Sequence, residues 1–137
     1  MGLFSSMRIS GSALTAQRLR MDVIAGNIAN AETTRTNGQR QPFERQQVVF
    51  QPLPETGAVG GGLQVAAIVR DQSPARQVYE PAHPDADPQT GMVAYPNVDT
   101  TTEMTDLLSA SRAYEANVTV LNAVKQMAQR SIDLGRA

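Results

Sequence analysis

The residues best suited to chemistry lie in one short segment, His83-Pro84-Asp85-Ala86-Asp87. One imidazole and two carboxylates could ligate a divalent ion, which would make the chain a small metal-dependent hydrolase. However, the sequence contains one histidine in total, and catalysis requires convergent groups held in a pocket. Prolines lie on both sides of the segment. We therefore predict a turn in which Asp side chains cap backbone groups and no metal ion is bound.

Other kinds of chemistry have even less support. The chain has no cysteine, which excludes disulfides, thiolate zinc sites and iron–sulfur clusters. Gly60-Gly61-Gly62 lacks the lysine and following helix of a phosphate-binding loop, so we interpret it as a flexible linker. No serine lies in a nucleophile-elbow motif. The sequence predicts that the protein is not an enzyme, has no catalytic residues and needs no cofactor.

Composition narrows the class of partner. The 137 residues include 12 Lys+Arg and 13 Asp+Glu, for a formal net charge of −1. Such a chain has no general electrostatic attraction for nucleic acid or for an anionic membrane. No apolar run approaches the roughly 18 residues of a membrane span, so no membrane insertion is expected. The first thirty residues also lack the apolar stretch of a cleavable signal peptide.

Proline divides the chain into three parts. All eight prolines lie between Pro42 and Pro96. Because proline breaks helix interiors, this distribution indicates two helical ends around an irregular or β-rich middle. We predict an α+β fold with an N-terminal helix in 1–35, a small β-rich domain in 36–98 and a C-terminal helix in 99–137.

The middle part shows strand and turn signals. β-Branched and aromatic residues mark the best strand candidates, and two weaker candidates adjoin prolines. Asn37-Gly38 predicts a tight turn. The four predicted strands are residues 46–51, 63–69, 77–80 and 92–95.

Both ends carry a narrow apolar stripe at heptad spacing, the width of a coiled-coil contact. Packing the two stripes against each other, and then against neighbouring copies, removes their apolar surface from water. We therefore predict that they form an assembly interface. A soluble coiled-coil scaffold is the alternative. Thr100 and Glu103 predict a capping box at the start of the second helix. The interface residues are Met7, Leu14, Met21, Ile24 and Ile28 in the first helix, and Met104, Leu107, Tyr114, Val118, Leu121 and Ile132 in the second.

Asparagines inside the proposed helices extend this interface. Asn27, Asn30 and Asn117 occupy positions where asparagine is a poor helix former. One interpretation is that these positions face solvent, where a helix tolerates asparagine. The other is that their amides bond to adjacent subunits and specify the register of assembly.

Two stretches resemble a known family. VIAGNIANAETT at 23–34 is similar to the N-terminal signature of bacterial flagellar rod and hook axial proteins. YEPAHPDADPQTGMVAY at 79–95, followed by PNV and the long C-terminal segment, resembles the proximal-rod branch of that family. Together the two regions cover about two-thirds of the chain.

The resemblance implies a structural role in motility. Terminal helices of such proteins pair into an inner-tube domain, and the middle forms a small outer domain. Subunits leave through the type III export apparatus without a cleaved signal and assemble in the periplasmic space. The implied neighbours are further copies of the chain, proximal rod proteins B and F, hook–basal-body protein E, distal rod protein G and the MS ring. The assembled hollow rod would transmit torque.

Overall fold

The computed structural model describes residues 2–54 and 61–136. In this part of the chain a long helix lies towards each end and four strands lie between them. This arrangement confirms the predicted α+β fold class. In chain order the elements are α1 (Leu3–Ala29), β1 (Gln46–Leu53), β2 (Gly62–Arg70), β3 (Arg76–Tyr79), β4 (Met92–Tyr95) and α2 (Thr100–Arg136).

The strands form two small sheets of two strands each. β1 pairs with β2, and β3 pairs with β4. The second pair is antiparallel, with Val78 opposite Val93 and Arg76 opposite Tyr95. Val93 is fully buried and belongs to the core. All four predicted strands are confirmed, each with boundaries within two residues of those observed.

The tight turn predicted at Asn37-Gly38 is also confirmed. Asn37 and Gly38 have φ angles of 51° and 77°. Thr36 and Gln39 exchange two backbone hydrogen bonds across them, with N···O distances of 3.1 and 2.9 Å. Two consecutive positive φ angles favour Asn-Gly because glycine has no Cβ to clash and asparagine tolerates the left-handed region.

The chain forms two compact units, and the first contains the N-terminal part of α1 and the C-terminal part of α2. It comprises α1 up to Met21, the described residues of Val48–Ala67, and α2 from Leu108 onward. Small side chains dominate its buried helix positions, which allows close approach of neighbouring backbones. The buried residues of this unit are Ser10, Ala16, Ala110 and Val124.

Gly62 lies at a close contact in this first unit. A Cβ added at Gly62 would lie 2.8 Å from the Oγ of Ser12. That hydroxyl accepts a hydrogen bond from the backbone N–H of Leu63 at 3.0 Å and donates to the carbonyl of Ile9 at 2.8 Å. The linker interpretation is therefore wrong for Gly62, which begins β2 and packs against α1. Gly60 lies outside the described residues.

The second unit comprises Asp22–Gln47 and Ile68–Leu107. Its apolar core surrounds two buried polar side chains, Asn27 and Glu103, each 1% exposed. The division into helical ends and a separate middle domain stays a prediction. The buried core residues of this unit are Ile24, Ala31, Val93, Pro96 and Val98.

The start of α2 differs from the sequence expectation. Asp99 caps it, since one carboxylate oxygen accepts from the Thr101 N–H at 3.1 Å and the other from the Thr102 hydroxyl at 2.7 Å. The Thr102 hydroxyl, followed by the Thr101 amide, lowers the pKa of the Asp99 carboxyl. The predicted capping box of Thr100 and Glu103 is wrong, because the Glu103 carboxylate turns inward to bind other side chains.

Candidate functional site

The loop that contains His83 is a hydrogen-bonded turn. The Nδ1 atom of His83 accepts from the backbone N–H of Asp85 at 3.0 Å. One oxygen of Asp85 forms an ion pair with Arg35, and the other accepts from the Thr34 hydroxyl at 2.7 Å. The hydrogen bond from Arg35, followed by that from Thr34, lowers the pKa of Asp85. The carboxylate is thus already paired with side chains from the segment after α1.

Asp87 does not join this group. Its Oδ1 atom accepts from the backbone N–H of Gln89 at 2.8 Å, as expected for an Asp that caps a turn. Among the residues that the structure describes, no group of three or more His, Cys, Asp or Glu is placed to hold a metal ion. The hydrolase hypothesis therefore gains no support.

Within residues 2–54 and 61–136, no helix is both long and apolar enough to cross a lipid bilayer.

The most extensive polar arrangement of the second unit is built around the buried Asn27 and Glu103. We call it the Arg45 cluster, and its members are Asn27, Arg45, Asp71, Asn97 and Glu103. Its two asparagines hold the backbone that enters β1. Asn27 accepts from the N–H of Gln46 at 2.9 Å and donates to its carbonyl at 2.8 Å. Asn97 accepts from the N–H of Arg45 at 2.9 Å and donates to the carbonyl of Asp71 at 3.1 Å. These bonds tie α1, β1 and the segment before α2 together.

The charged side chains of the cluster converge on Arg45. Its guanidinium forms an ion pair with Glu103 and lies 3.4 Å from Asp71 and 3.6 Å from Asp106. Asn27 donates to the other oxygen of Glu103 at 3.0 Å. The Arg45 side chain is 18% exposed and that of Glu103 is 1% exposed. A buried carboxylate is therefore satisfied at both oxygens, once by a cation and once by an amide.

The surroundings shift two pKa values in the cluster. Burial acts to lower the pKa of Arg45, but hydrogen bonds and charge interactions with Glu103 and Asp71 raise it overall. The pKa of Asp71 is lowered, first by the hydroxyl and N–H of Ser73 and then by Arg45. Both shifts favour the charged forms, so Arg45 and Asp71 stay ionised at neutral pH.

The three candidate asparagines make contacts within the chain. Asn27 uses both ends of its amide inside the cluster. Asn30 lies just after the end of α1 and donates to the carbonyl of Gly26 at 2.9 Å, and Asn117 donates within α2 to the carbonyl of Ala113 at 2.8 Å. That any of them bonds to a neighbouring subunit stays a prediction.

The predicted apolar interface residues fall into three classes of exposure. Ile24 is buried, whereas Met104 and Ile132 are 59% and 62% exposed. The buried residues of α2 are Glu103, Ala110 and Val124, which are spaced by seven residues or a multiple of seven. This series begins one residue before Met104, so the buried face of α2 differs from the predicted one by one residue. The remaining predicted residues, all half-buried, are Met7, Leu14, Met21, Ile28, Leu107, Tyr114, Val118 and Leu121.

Sequence reasoning missed most of the Arg45 cluster. Arg45, Asp71 and Asn97 lie in irregular segments or next to strands, where no periodic pattern marks them. Arg45 is 58 residues from Glu103 and 52 from Asn97 in the chain. Only the unusual presence of Asn27 inside an apolar helix pointed to this part of the molecule.

Comparison with known proteins bears on both ends of the chain. A family model described as "Flagella basal body rod protein" matches residues 7–35, and one described as "Flagellar basal body rod FlgEFG protein C-terminal" matches residues 89–134. The first region contains most of α1, and the second contains β4 and most of α2.

Several relatives match nearly the whole chain. Flagellar basal-body rod protein FlgC of Escherichia coli is 47% identical over 136 residues, covering 99% of this chain and all of the relative. The FlgC of Bacillus subtilis is 42% identical over 151 residues, with 99% and 100% covered. The FlgC of Borreliella burgdorferi is 46% identical over 143 residues, with 93% of each covered. With the helices matched at both ends and the middle included, the chain belongs to the family of flagellar basal-body rod protein FlgC.

Proposed function

We propose that this chain, a structural subunit of the bacterial flagellar basal-body rod, builds the proximal part of that rod. Its neighbours there are further copies, rod proteins B and F, hook–basal-body protein E, the MS ring and distal rod protein G. The assembled hollow shaft transmits torque and lies in the periplasmic space. The subunit reaches it through the type III export apparatus without losing a signal peptide. Similarity to rod proteins over 99% of the chain is the observation that carries the proposal.

We assign no catalytic role to the chain. His83, Asp85 and Asp87 are each engaged in turn hydrogen bonds, and Asp85 is also paired with Arg35. A structural subunit needs surfaces for other subunits rather than a reactive pocket.

Exposed apolar side chains on α2 support an assembly role. Burying one large apolar side chain stabilises by about 1.5–3 kcal/mol, so a helix that leaves many of them in water gains stability by contacting another chain. The predicted interface residues Met104 and Ile132 belong to this group. The exposed large apolar residues of α2 are Met104, Leu108, Val120, Met127, Ile132 and Leu134.

Ile132→Asp tests this surface in the full chain. Ile132 is 62% exposed, so the monomer should keep its melting temperature within about a degree. In the assembled rod the new carboxylate would be buried without a partner, at a cost of several kcal/mol. We expect cells that carry the variant in place of the native chain to export the subunit but to lack completed rods and to be non-motile. Electron microscopy of basal bodies and swimming assays provide the measurements.

The control is Gln126→Asp, at an exposed polar position about 120° around the helix from Ile132. It adds the same charge outside the predicted interface and should leave swimming close to normal. Normal swimming with Ile132→Asp would remove Ile132 from the interface. A complete rod in cells that lack the chain altogether would overturn the proposed function itself.

A further inference from the structure

Three elements of the second unit meet at one buried carboxylate. Asn27 lies in α1, Arg45 directly precedes β1, and Glu103 lies in the first turns of α2. One oxygen of Glu103 binds the Arg45 guanidinium, and the other accepts from the Asn27 amide at 3.0 Å. With Asn27 and Glu103 each 1% exposed, water is not available to replace either partner.

The apolar stripes alone do not fix how α1 aligns with α2. Both helices repeat large apolar residues every seven positions, so a slide of one helix by seven residues again brings large apolar side chains to the seam. In packed helices a buried polar residue selects one register, because other registers leave it unpaired. The repeat positions are Met7, Leu14, Met21 and Ile28 in α1 and Leu107, Tyr114 and Leu121 in α2.

The Arg45 cluster can exist in one alignment. A slide of α2 by one heptad would bring Ala110, which is fully buried, to the place of Glu103. Arg45 would lose its enclosed counter-ion, and Asn27 would lose its acceptor. Asp71 and Asp106 could not substitute for Glu103, since their side chains are 21% and 35% exposed whereas that of Glu103 is 1% exposed.

We propose that Asn27, Arg45 and Glu103 specify the register of α1 against α2. The apolar stripes hold the helices together, and the three polar side chains decide which residues face each other. This assignment goes beyond the role in the rod, because it concerns the single chain and is measurable before any assembly.

The absence of cysteine makes a direct register measurement possible. Ala25→Cys on α1 and Thr105→Cys on α2 place spin labels at two exposed positions of the same unit. Pulsed electron paramagnetic resonance then gives their separation in the full chain. With the native cluster we expect one narrow distance. In the variant Asn27→Leu/Arg45→Met/Glu103→Leu we expect a second population displaced by up to about 10 Å, the length of seven helical residues.

Thermal unfolding separates register from stability. Replacing a whole buried ionic group by apolar residues of similar volume often preserves the melting temperature. Because Asn27→Leu also removes the partner of the Gln46 backbone N–H and C=O, we expect the triple variant to melt below the native temperature but to stay folded and to show two distances. A folded triple variant with the single native distance would overturn the proposal, because the stripes would then suffice.

A second variant covers the case in which the triple variant fails to fold. Glu103→Gln keeps the shape of the side chain and removes its charge, and we expect a smaller second population. The matched control is Glu115→Gln, at an exposed position of α2, which should keep the native distance. A single native distance in Glu103→Gln, or a second distance in Glu115→Gln, would contradict the assignment.

Discussion

The guanidinium of Arg45 faces three carboxylates, and they differ in how far water can reach them. The Glu103 side chain is 1% exposed, whereas those of Asp71 and Asp106 are 21% and 35% exposed. Water therefore solvates Asp71 and Asp106 when Arg45 is absent, but not Glu103. The free energy of the cluster depends mainly on the enclosed pair.

Glu103→Gln should therefore destabilise the chain strongly. Removing one partner from a buried ion pair costs about 3–5 kcal/mol, and we expect about 3 kcal/mol since Arg45 keeps two other carboxylates. Urea unfolding followed by circular dichroism measures the loss. Glu115→Gln, at an exposed site, should change the free energy of unfolding by less than about 0.5 kcal/mol. Equal effects of the two substitutions would contradict the buried role of Glu103.

Asp85 allows a prediction about charge alone. Its pKa is lowered chiefly by the hydrogen bond from Arg35. In Arg35→Ala the pKa of Asp85 should rise towards its ordinary value, which carbon-detected NMR titration can follow. Arg40→Ala is the matched control, because Arg40 lines the same surface depression as Asp85 without bonding to it. An unchanged pKa in Arg35→Ala would show that Thr34 holds the carboxylate by itself.

At the scale of elements, α2 is unevenly buried along its length. Glu103 and Ala110 are buried near its start, whereas every residue from 129 to 136 is exposed. Helical hydrogen bonds without tertiary burial open readily. Hydrogen exchange of the full-length monomer should therefore be much faster in 129–136 than in 103–110. Uniform protection along α2 would mean that the monomer already covers this end of the helix.

The elements were more predictable than the contacts between them. Proline distribution and heptad spacing identified both helices, and β-branched runs identified strands such as Met92–Tyr95. These signals are local, because they depend on residues a few positions apart. The buried residues of α2 lie one position earlier in the chain than predicted. Glu103 looked like a capping residue, but a distant arginine determines its orientation, and no local pattern contains that information.

At the scale of the whole molecule, three aspartates make the chain sensitive to acid. The pKa values of Asp71, Asp85 and Asp99 are all lowered in the folded chain, mainly by hydrogen bonds from Ser73, Arg35 and Thr102 respectively. The folded state therefore binds fewer protons than the unfolded state near the ordinary aspartate pKa of about 3.9. Their stabilising contribution is complete above that value and is lost as the pH falls through the lowered values.

This difference in bound protons determines how the stability of the chain depends on pH. The free energy of unfolding should be nearly constant between about pH 7 and pH 5 and should decline below about pH 4. Urea titrations at a series of pH values measure it. Asp85→Asn should flatten part of the acid decline. A chain that becomes more stable on acidification would contradict these assignments.

The hydrogen bond between Asn27 and Glu103 joins residues 76 positions apart. A ribosome that adds about 5–20 residues per second needs roughly 4–15 s to pass from one to the other. Throughout that interval the amide of Asn27 has no carboxylate to bind, and Arg45 has no enclosed counter-ion. The nascent chain therefore cannot close its buried cluster until most of it has been synthesised. Late completion leaves this cluster open in the growing polypeptide, a state that would suit the passage through an export apparatus proposed above.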